Sequence, residues 1–216
     1  MRAVLEAYDG PVVLDADALN GLDRDGVRGR GAPTILTPHE GEFARLFGEV
    51  GVDRVAAVRA AAVRSGAVVL LKGPTTVVAA PDGAVRMAAA GSPSLATAGT
   101  GDVLTGLIAA LLARGVPALD AAGLAAHIHG RAAALGPSWG LVAGDLPLLL
   151  SRWLSSQLEA SPTRLVAASA SEQAGEAAPT PGCAHEEDEE RRRGTSRAPQ
   201  EGSQVVKGSP MHRRET

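Results

Sequence analysis

The segment Gly99-Thr100-Gly101-Asp102 combines a glycine-rich loop and a carboxylate at the start of an apolar helical pattern. Small residues leave main-chain amides accessible, and the following helix directs the positive end of its dipole at the same place, so that phosphate is attracted. Asp102 falls in the first helical turn, where a carboxylate can take a proton from a hydroxyl that attacks a phosphoryl group. An ordinary capped helix has a similar pattern, and the segment matches neither the dinucleotide-binding fingerprint nor the Walker loop.

Three other short segments carry charged groups or a ring nitrogen, each directly after a predicted strand. They are Asp15-Ala16-Asp17, Thr37-Pro38-His39-Glu40-Gly41-Glu42 and Leu71-Lys72-Gly73-Pro74-Thr75-Thr76. Each segment alone is equally typical of a turn, a helix cap or solvated surface. Because ligands collect at the carboxyl ends of strands in open α/β sheets, the shared position of the three segments indicates one site.

The order of the apolar segments predicts an α/β fold with a mostly parallel sheet. Strands are predicted at 12–14, 34–37 and 67–71, and a hairpin at 76–88 turns at Pro81-Asp82-Gly83. Helices are predicted at 16–22, 40–47, 54–65, 101–113, 119–135 and 146–158, the last with Asp145 as its N-cap. Because the strands are apolar over their full width, we expect helices on both faces of the sheet.

Composition divides the chain into a globular domain, residues 1–160, and a tail, residues 161–216. The 216 residues are 45% hydrophobic, which is enough for one domain with a core of its own. The tail is rich in Ser, Ala, Pro, Gly, Glu and Arg and has no apolar periodicity. Such a segment cannot bury enough apolar surface to fold, and we expect it to be disordered.

The charge balance and the single cysteine exclude several classes of function. A net charge of -3 argues against a nucleic acid or an anionic membrane as partner. Cys183 alone can form neither an internal disulfide nor a four-thiolate metal site, which is typical of a reducing compartment. No apolar run is long enough to span a bilayer, and no signal-peptide pattern is visible. These features predict a cytoplasmic protein without a membrane partner.

Taken in order and spacing, the motifs resemble those of the ADP-dependent NAD(P)H-hydrate dehydratases of the ribokinase-like superfamily. The matching segments are 13–20, 36–42, 71–73, 96–106, 129–130 and 140–146. The resemblance implies a three-layer α/β/α ribokinase-like fold and a repair reaction on NADH or NADPH that has taken up water. In that reaction a phosphoryl group passes from ADP to the hydrate hydroxyl. Phosphate then leaves, and AMP, phosphate and the restored nucleotide are formed.

The resemblance also implies roles for individual residues. Asp102 would accept the hydroxyl proton and contact the hydrate, and His39 would contact the hydrated nicotinamide nucleotide. Glu42, helped by Asp15, would act on Mg²⁺ through water, since hard cations prefer oxygen ligands. The nucleotide would be held by Lys72, Gly73, Pro74, Thr75, Thr76, Gly99, Thr100 and Gly101. His129 is expected to have a packing role.

Relatives in this family assemble as homo-oligomers, which implies a homo-oligomer here. The resemblance also implies a functional partnership with an NAD(P)H-hydrate epimerase. In the family, roughly a hundred or more residues precede the Asp-Ala-Asp-Ala motif. Only residues 1–10 precede the matching segment here, so the resemblance implies a partial domain that lacks the N-terminal strands. Two alternatives stay open: an ATP-dependent superfamily kinase that acts on a hydroxymethylpyrimidine or a thiazole alcohol, and an inactive truncated fragment.

Overall fold

A computed structural model describes residues 2–22 and 27–159. Its strands are β1 (Val12–Leu14), β2 (Thr34–Leu36), β3 (Val68–Leu71), β4 (Thr76–Ala79) and β5 (Val85–Ala88). Its helices are α1 (Arg2–Ala7), α2 (Asp17–Asn20), α3 (Glu40–Phe47), α4 (Arg54–Ser65), α5 (Thr100–Ala113), α6 (Ala118–Ala133) and α7 (Leu146–Glu159). Short 3-10 turns at Pro93–Leu95 and Ala143–Asp145 precede α5 and α7.

The five strands form one sheet in the order β1-β2-β3-β4-β5. β1, β2 and β3 run parallel, with Val13 opposite Ile35 and Ile35 opposite Val68. β4 and β5 are antiparallel and form the predicted hairpin. The carboxyl ends of β1, β2 and β3 therefore lie at one edge of the sheet, which confirms the mostly parallel arrangement predicted from the sequence.

Alternate strand residues bury their side chains on opposite faces of the sheet, as a pleated strand requires. One face carries a core of strand residues and residues of α1 to α4, including Leu36, Val69, Leu71, Phe43, Leu46 and Val58. The other face packs strand residues against α5 and α6, including Ile35, Val68, Leu70, Val78, Leu104 and Ile108. The expected helices on both faces are confirmed, and the molecule has three layers.

The C-terminal end of the described chain packs on α6 through a third, smaller cluster. Its buried members are Ala132, Ala133, Leu141, Leu146 and Leu149. The prediction that Asp145 caps α7 is corrected by the structure. Asp145 is the last residue of a 3-10 turn, and its Oδ2 accepts the amide of Val142 at 3.1 Å. The carboxylate thus accepts a main-chain amide at the start of that turn rather than one at the start of α7.

The sequence did not predict α1, which is six residues long. Leu5 of this helix is buried in the first core, and Arg30 holds the segment by donating to the carbonyls of Tyr8 at 3.0 Å and Gly10 at 2.9 Å. A helix this short is not stable alone and depends on such tertiary contacts.

The tail predicted at 161–216 lies outside the described residues, and the boundary at residue 160 stays a prediction. Among residues 2–22 and 27–159, no helix combines the length and the hydropathy that crossing a bilayer requires.

Gly130 lies where α6 contacts the segment after β5, and a Cβ built on it would be 2.4 Å from the carbonyl oxygen of Ala90. Because that neighbour is main chain, the whole segment would have to move. We expect Gly130→Ala to lower the free energy of unfolding by about 1–3 kcal/mol in urea denaturation. Gly106→Ala on α5 is the matched control, since nothing lies within 4 Å of its added Cβ. Equal stability of the two variants would contradict this packing.

Candidate active site

The polar residues that follow β1, β2 and β3 come together at the carboxyl edge of the sheet. The Nζ of Lys72 lies 2.7 Å from Oδ1 of Asp15 and 3.8 Å from Oε2 of Glu42. The Asp15 carboxylate is nearly enclosed, with 9% of its side chain exposed. The side chain of Lys72 is 23% exposed. The parallel topology thus brings three segments that are distant in sequence to one point, as predicted.

Asp15 has protein partners on both carboxylate oxygens. Oδ1 also accepts the amide of Ala16 at 2.9 Å, and Oδ2 accepts the Thr105 hydroxyl of α5 at 2.9 Å. Ala16 has a positive φ of 48°, which an L-residue rarely adopts. Backbone strain of this kind is found preferentially at functional sites, and here it occurs in the turn that orients Asp15.

His39 and Glu42 form a reciprocal cap at the start of α3. The Nδ1 of His39 accepts the amides of Gly41 at 3.1 Å and Glu42 at 3.2 Å, while Oε2 of Glu42 accepts the amide of His39 at 2.8 Å. Because Nδ1 is an acceptor, the proton of the neutral ring is on Nε2. The cap therefore fixes the ring of a side chain that is 60% exposed, with its Nε2 3.4 Å from Oε1 of Glu42.

The glycine loop (residues 99–101) forms the start of α5. Gly99 has a φ of 85°, a conformation that favours glycine, and the amides of Gly99 and Gly101 have no main-chain acceptor among the described residues. A Cβ built on Gly101 would lie 3.5 Å from Oδ2 of Asp15 and 3.7 Å from Nζ of Lys72. The loop thus comes close to the Asp15–Lys72 pair at Gly101, and two of its amides have no main-chain acceptor among the described residues. The Thr100 hydroxyl is used internally, donating to the carbonyl of Leu95 at 2.7 Å.

A cavity of about 650 Å³ opens between the glycine loop and the lysine loop (residues 72–76). Pockets of this volume hold small ligands of cofactor size. Of the residues predicted to bind a ligand, those that line it are His39, Lys72, Gly73, Pro74, Thr76, Thr100 and Gly101; Thr75, Gly99, Asp15, Glu42 and Asp102 do not. Its apolar wall includes Pro93, Leu95, Leu104 and Ala126, none of which was predicted to bind a ligand.

Comparisons with known proteins decide the family. The NAD(P)H-hydrate dehydratase family matches residues 1–155. This chain belongs to that family. An ADP-dependent (S)-NAD(P)H-hydrate dehydratase of Neisseria meningitidis is 46% identical over 169 residues, 72% of this chain and 57% of the relative. A bifunctional NAD(P)H-hydrate repair enzyme Nnr of Mycobacterium leprae is 52% identical over 155 residues, 68% of this chain and 32% of the relative.

Solved structures agree with this NAD(P)H-hydrate dehydratase assignment. The ADP/ATP-dependent NAD(P)H-hydrate dehydratase of Bacillus subtilis, co-crystallised with ATP and Mg²⁺, has a TM-score of 0.64 and 35% identity, over 69% of this chain and 56% of that one. A ribokinase-like superfamily protein of Enterococcus faecalis, at 23% identity and a TM-score of 0.56, supports the fold, over 70% of this chain and 58% of that one. The fold is therefore ribokinase-like, and the chain spans about a third to somewhat over half of these curated relatives.

Asp102 occupies the third position of α5 and is exposed. Its amide donates to the carbonyl of Gly99 at 3.2 Å, and its side chain has no hydrogen-bond partner within the described part of the chain. Asp102 does not line the cavity, although the preceding residue, Gly101, does.

Magnesium does not fit as a direct ligand of Asp15. Both oxygens of that carboxylate are hydrogen-bonded, and the Lys72 ammonium lies between it and Glu42. Residues 2–22 and 27–159 contain no group of three or more His, Cys, Asp or Glu that could hold a metal ion. Mg²⁺ usually binds one or two carboxylates together with phosphate oxygens and water. Asp15 instead pairs with Lys72, its Oδ1 lying 2.7 Å from Nζ.

His129 lines the cavity, whereas the sequence predicts only a packing role for it. It lies on α6, is 5% exposed and lines the cavity together with Ala126, one helical turn earlier. Its Nε2 is buried without a hydrogen-bond partner in the described residues. A histidine on an apolar helix face is also typical of an ordinary core, so the sequence pattern alone could not distinguish the two roles.

Burial lowers the pKa of His129 below its ordinary value of 6.5, and a hydrogen bond to the main chain of Thr100 offsets part of this effect. The unfolded chain therefore binds more protons than the folded one as the pH falls through 6.5. We expect the melting temperature to fall over this range, and to fall less steeply in His129→Gln, where this ring is absent. His127→Gln, at an exposed position of the same helix, is the control for the loss of a histidine from α6. Identical slopes in all three proteins would contradict this assignment.

Proposed function

We propose that this chain repairs hydrated NADH or NADPH by ADP-dependent dehydration. The observation that carries the proposal is the approach of the glycine loop to Lys72 at the mouth of the cavity, with Gly101 beside the Asp15–Lys72 pair. Free amides, a cation and an unpartnered carboxylate are the groups that phosphoryl transfer requires. The 46% identity to a Neisseria meningitidis protein named for this activity supports the same reaction.

The nucleoside of ADP would occupy the apolar cavity, and its phosphates would extend toward the amides of Gly99 and Gly101. Lys72 would balance part of the phosphate charge, and Gly73, Pro74 and Thr76 would line one side of the nucleotide. Thr75 lies in the same loop and would contribute through its main chain. The Thr100 hydroxyl, which already donates to Leu95, would hold the glycine loop in shape rather than contact the ligand.

Phosphoryl transfer would begin when Asp102 accepts the proton of the hydrate hydroxyl. The hydroxyl oxygen attacks the β-phosphorus of ADP, the bond from that phosphorus to the bridging oxygen breaks, and AMP leaves. The glycine-loop amides offset the charge that grows on the transferred group. The carbon–oxygen bond of the phosphorylated hydrate then breaks. Phosphate leaves with that oxygen, and the neighbouring carbon loses a proton, which restores the ring double bond.

The nicotinamide side of the substrate would be contacted by His39, whose Nε2–H is oriented by the cap on Nδ1. Mg²⁺ bound to the nucleotide would neutralise phosphate charge, with Glu42 reaching it through water. Asp15 would contribute indirectly, because it fixes the position of Lys72.

Several further properties belong to the same proposal. A cytoplasmic location agrees with a chain that has one cysteine. A homo-oligomer is supported by exposed apolar side chains on α7, among them Leu148 and Leu158. Partnership with an NAD(P)H-hydrate epimerase is supported by relatives that are named bifunctional repair enzymes.

The proposal is tested by incubating the purified full chain with ADP and hydrated NADH. We expect AMP to appear in equal amount to the NADH that is recovered, measured by chromatography and by NADH absorbance. A parallel incubation with ATP and a hydroxymethylpyrimidine or thiazole alcohol tests the kinase alternative. Consumption of ATP there without NADH recovery would replace the proposed function. A cooperatively melting chain that is inactive in both assays would indicate an inactive fragment.

A further inference from the structure

The Nε2 of His129 is a buried polar atom with no partner among the described residues, and it belongs to the wall of the cavity. Leaving such an atom unpaired is costly, so that most buried polar groups in folded proteins have a partner. The neighbouring hydroxyls do not supply one. Ser92 and Ser94 bond to each other at 2.8 Å, and Thr100 donates to the carbonyl of Leu95. The missing partner is thus expected to come with the ligand.

The chemistry of the ring decides what kind of group that partner is. The ring hydrogen-bonds to the main chain of Thr100, and burial lowers the pKa of His129, so that the ring is neutral near pH 7. A neutral imidazole has one N–H and one lone pair. We assign the N–H to Nδ1, because a bond from the ring to the main chain of Thr100 raises the pKa and Nε2 has no partner among the described residues; this leaves the lone pair on Nε2. The cavity therefore presents a buried acceptor, which a hydrogen-bond donor on the ligand would satisfy.

We propose that Nε2 of His129 accepts a hydrogen bond from the nucleoside of ADP and thereby selects the nucleotide. This inference rests on the proposed function, in which the nucleoside occupies the cavity. A nucleoside offers such a donor at two places, the exocyclic amino group of adenine and the ribose hydroxyls. An analogue that lacks the donor leaves Nε2 unpaired, and one that presents a carbonyl oxygen there adds repulsion between two acceptors. Either analogue should bind roughly 10–100-fold more weakly than ADP.

Calorimetric titration of the wild-type chain with four nucleotides tests the inference. The ligands are ADP, inosine diphosphate and the two analogues of ADP that each lack one ribose hydroxyl. Inosine diphosphate carries a carbonyl in place of the adenine amino group. Weakening confined to inosine diphosphate identifies the base as the donor. Weakening confined to one deoxy analogue identifies the ribose. ADP that binds no more tightly than any of the three analogues would overturn the inference while leaving the proposed function intact. Failure of ADP itself to bind would overturn both.

His129→Phe provides the second measurement, because it keeps a ring and removes the acceptor. We expect this variant to bind ADP more weakly and to lose the preference for ADP over the analogue that the wild type rejects. His127→Phe is the matched control, since residue 127 is exposed on the same helix, edge-on to Trp153. It should keep the wild-type preference. An unchanged preference in His129→Phe would contradict the role given to Nε2, and the wild-type series decides the question if that variant fails to fold.

Discussion

Asp102→Asn is expected to lower the turnover of hydrated NADH by about 100-fold to 10,000-fold, the range that general acid–base catalysis contributes. The amide has nearly the shape of the carboxylate but cannot accept the hydroxyl proton. Binding of AMP, measured by calorimetry, should stay close to wild type, because Asp102 does not line the cavity. The side chain makes no hydrogen bond to the described residues, so the fold should not depend on it.

Asp120→Asn is the control, because Asp120 is also the third residue of its helix and exposed, although unlike Asp102 it pairs with an arginine, Arg86, at 2.9 Å. Either substitution removes a charge that favours a helix N-terminus, a contribution of about 0.3–1 kcal/mol. We expect small losses of stability in both variants, with a further loss of about 0–1 kcal/mol in Asp120→Asn from its exposed ion pair with Arg86. We expect a loss of turnover in Asp102→Asn alone. Wild-type turnover in Asp102→Asn would remove this carboxylate from the mechanism.

Lys72→Met is expected to weaken ADP binding by roughly 10–100-fold, as loss of a charged hydrogen bond does. It should also lower the free energy of unfolding by about 1–3 kcal/mol, because the nearly enclosed carboxylate of Asp15 loses its cation. The carboxylate of Asp15, no longer neutralised by Lys72, would then repel the phosphate of ADP, and this repulsion adds to the loss of affinity. Calorimetric titration with ADP and urea denaturation measure the two effects separately.

The double variant Lys72→Met/Asp15→Asn separates the structural contribution of Lys72 from its contribution to binding. Stability should largely return, because no charge is left unpaired, whereas ADP affinity should stay low. Arg86→Met is the control: Arg86 pairs with Asp120 at 2.9 Å, but both side chains are about half exposed, so we expect a change of about 0–1 kcal/mol. Full recovery of ADP affinity in the double variant would contradict a direct contact between Lys72 and the nucleotide.

Much of the fold could be predicted from sequence where local signals agree. The limits of α3 and α4 match the predicted ones, since Asp53 caps the start of α4 by accepting the amide of Ala56 at 2.9 Å and Gly66 ends it in a left-handed conformation. The hairpin formed around its Asp-Gly turn. By contrast, α1 is held by Arg30, and the positive φ of Ala16 arises from the turn around Asp15. Such long-range contacts leave no periodic pattern in the sequence.

The site was predictable in its location and less so in its detail. Parallel strands bring the residues after β1, β2 and β3 to one edge, and this rule grouped Asp15, His39 and Lys72 correctly. The rule does not say which charges pair, so the enclosure of Asp15 by Lys72 and Thr105 required the structure. The cavity position of His129 was also hidden, because it depends on how closely α6 packs against the segment after β5.

The most direct test of the central claim follows the oxygen atom of the hydrate hydroxyl. If Asp102 activates that hydroxyl for attack on the β-phosphorus of ADP, the same oxygen must leave with phosphate when the ring double bond returns. Hydrated NADH labelled with heavy oxygen in the hydroxyl is incubated with ADP and the full chain in ordinary water, and the phosphate is analysed by mass spectrometry. We expect one labelled oxygen in each phosphate released. Unlabelled phosphate would show that water attacks ADP instead, and would contradict phosphoryl transfer to the hydrate.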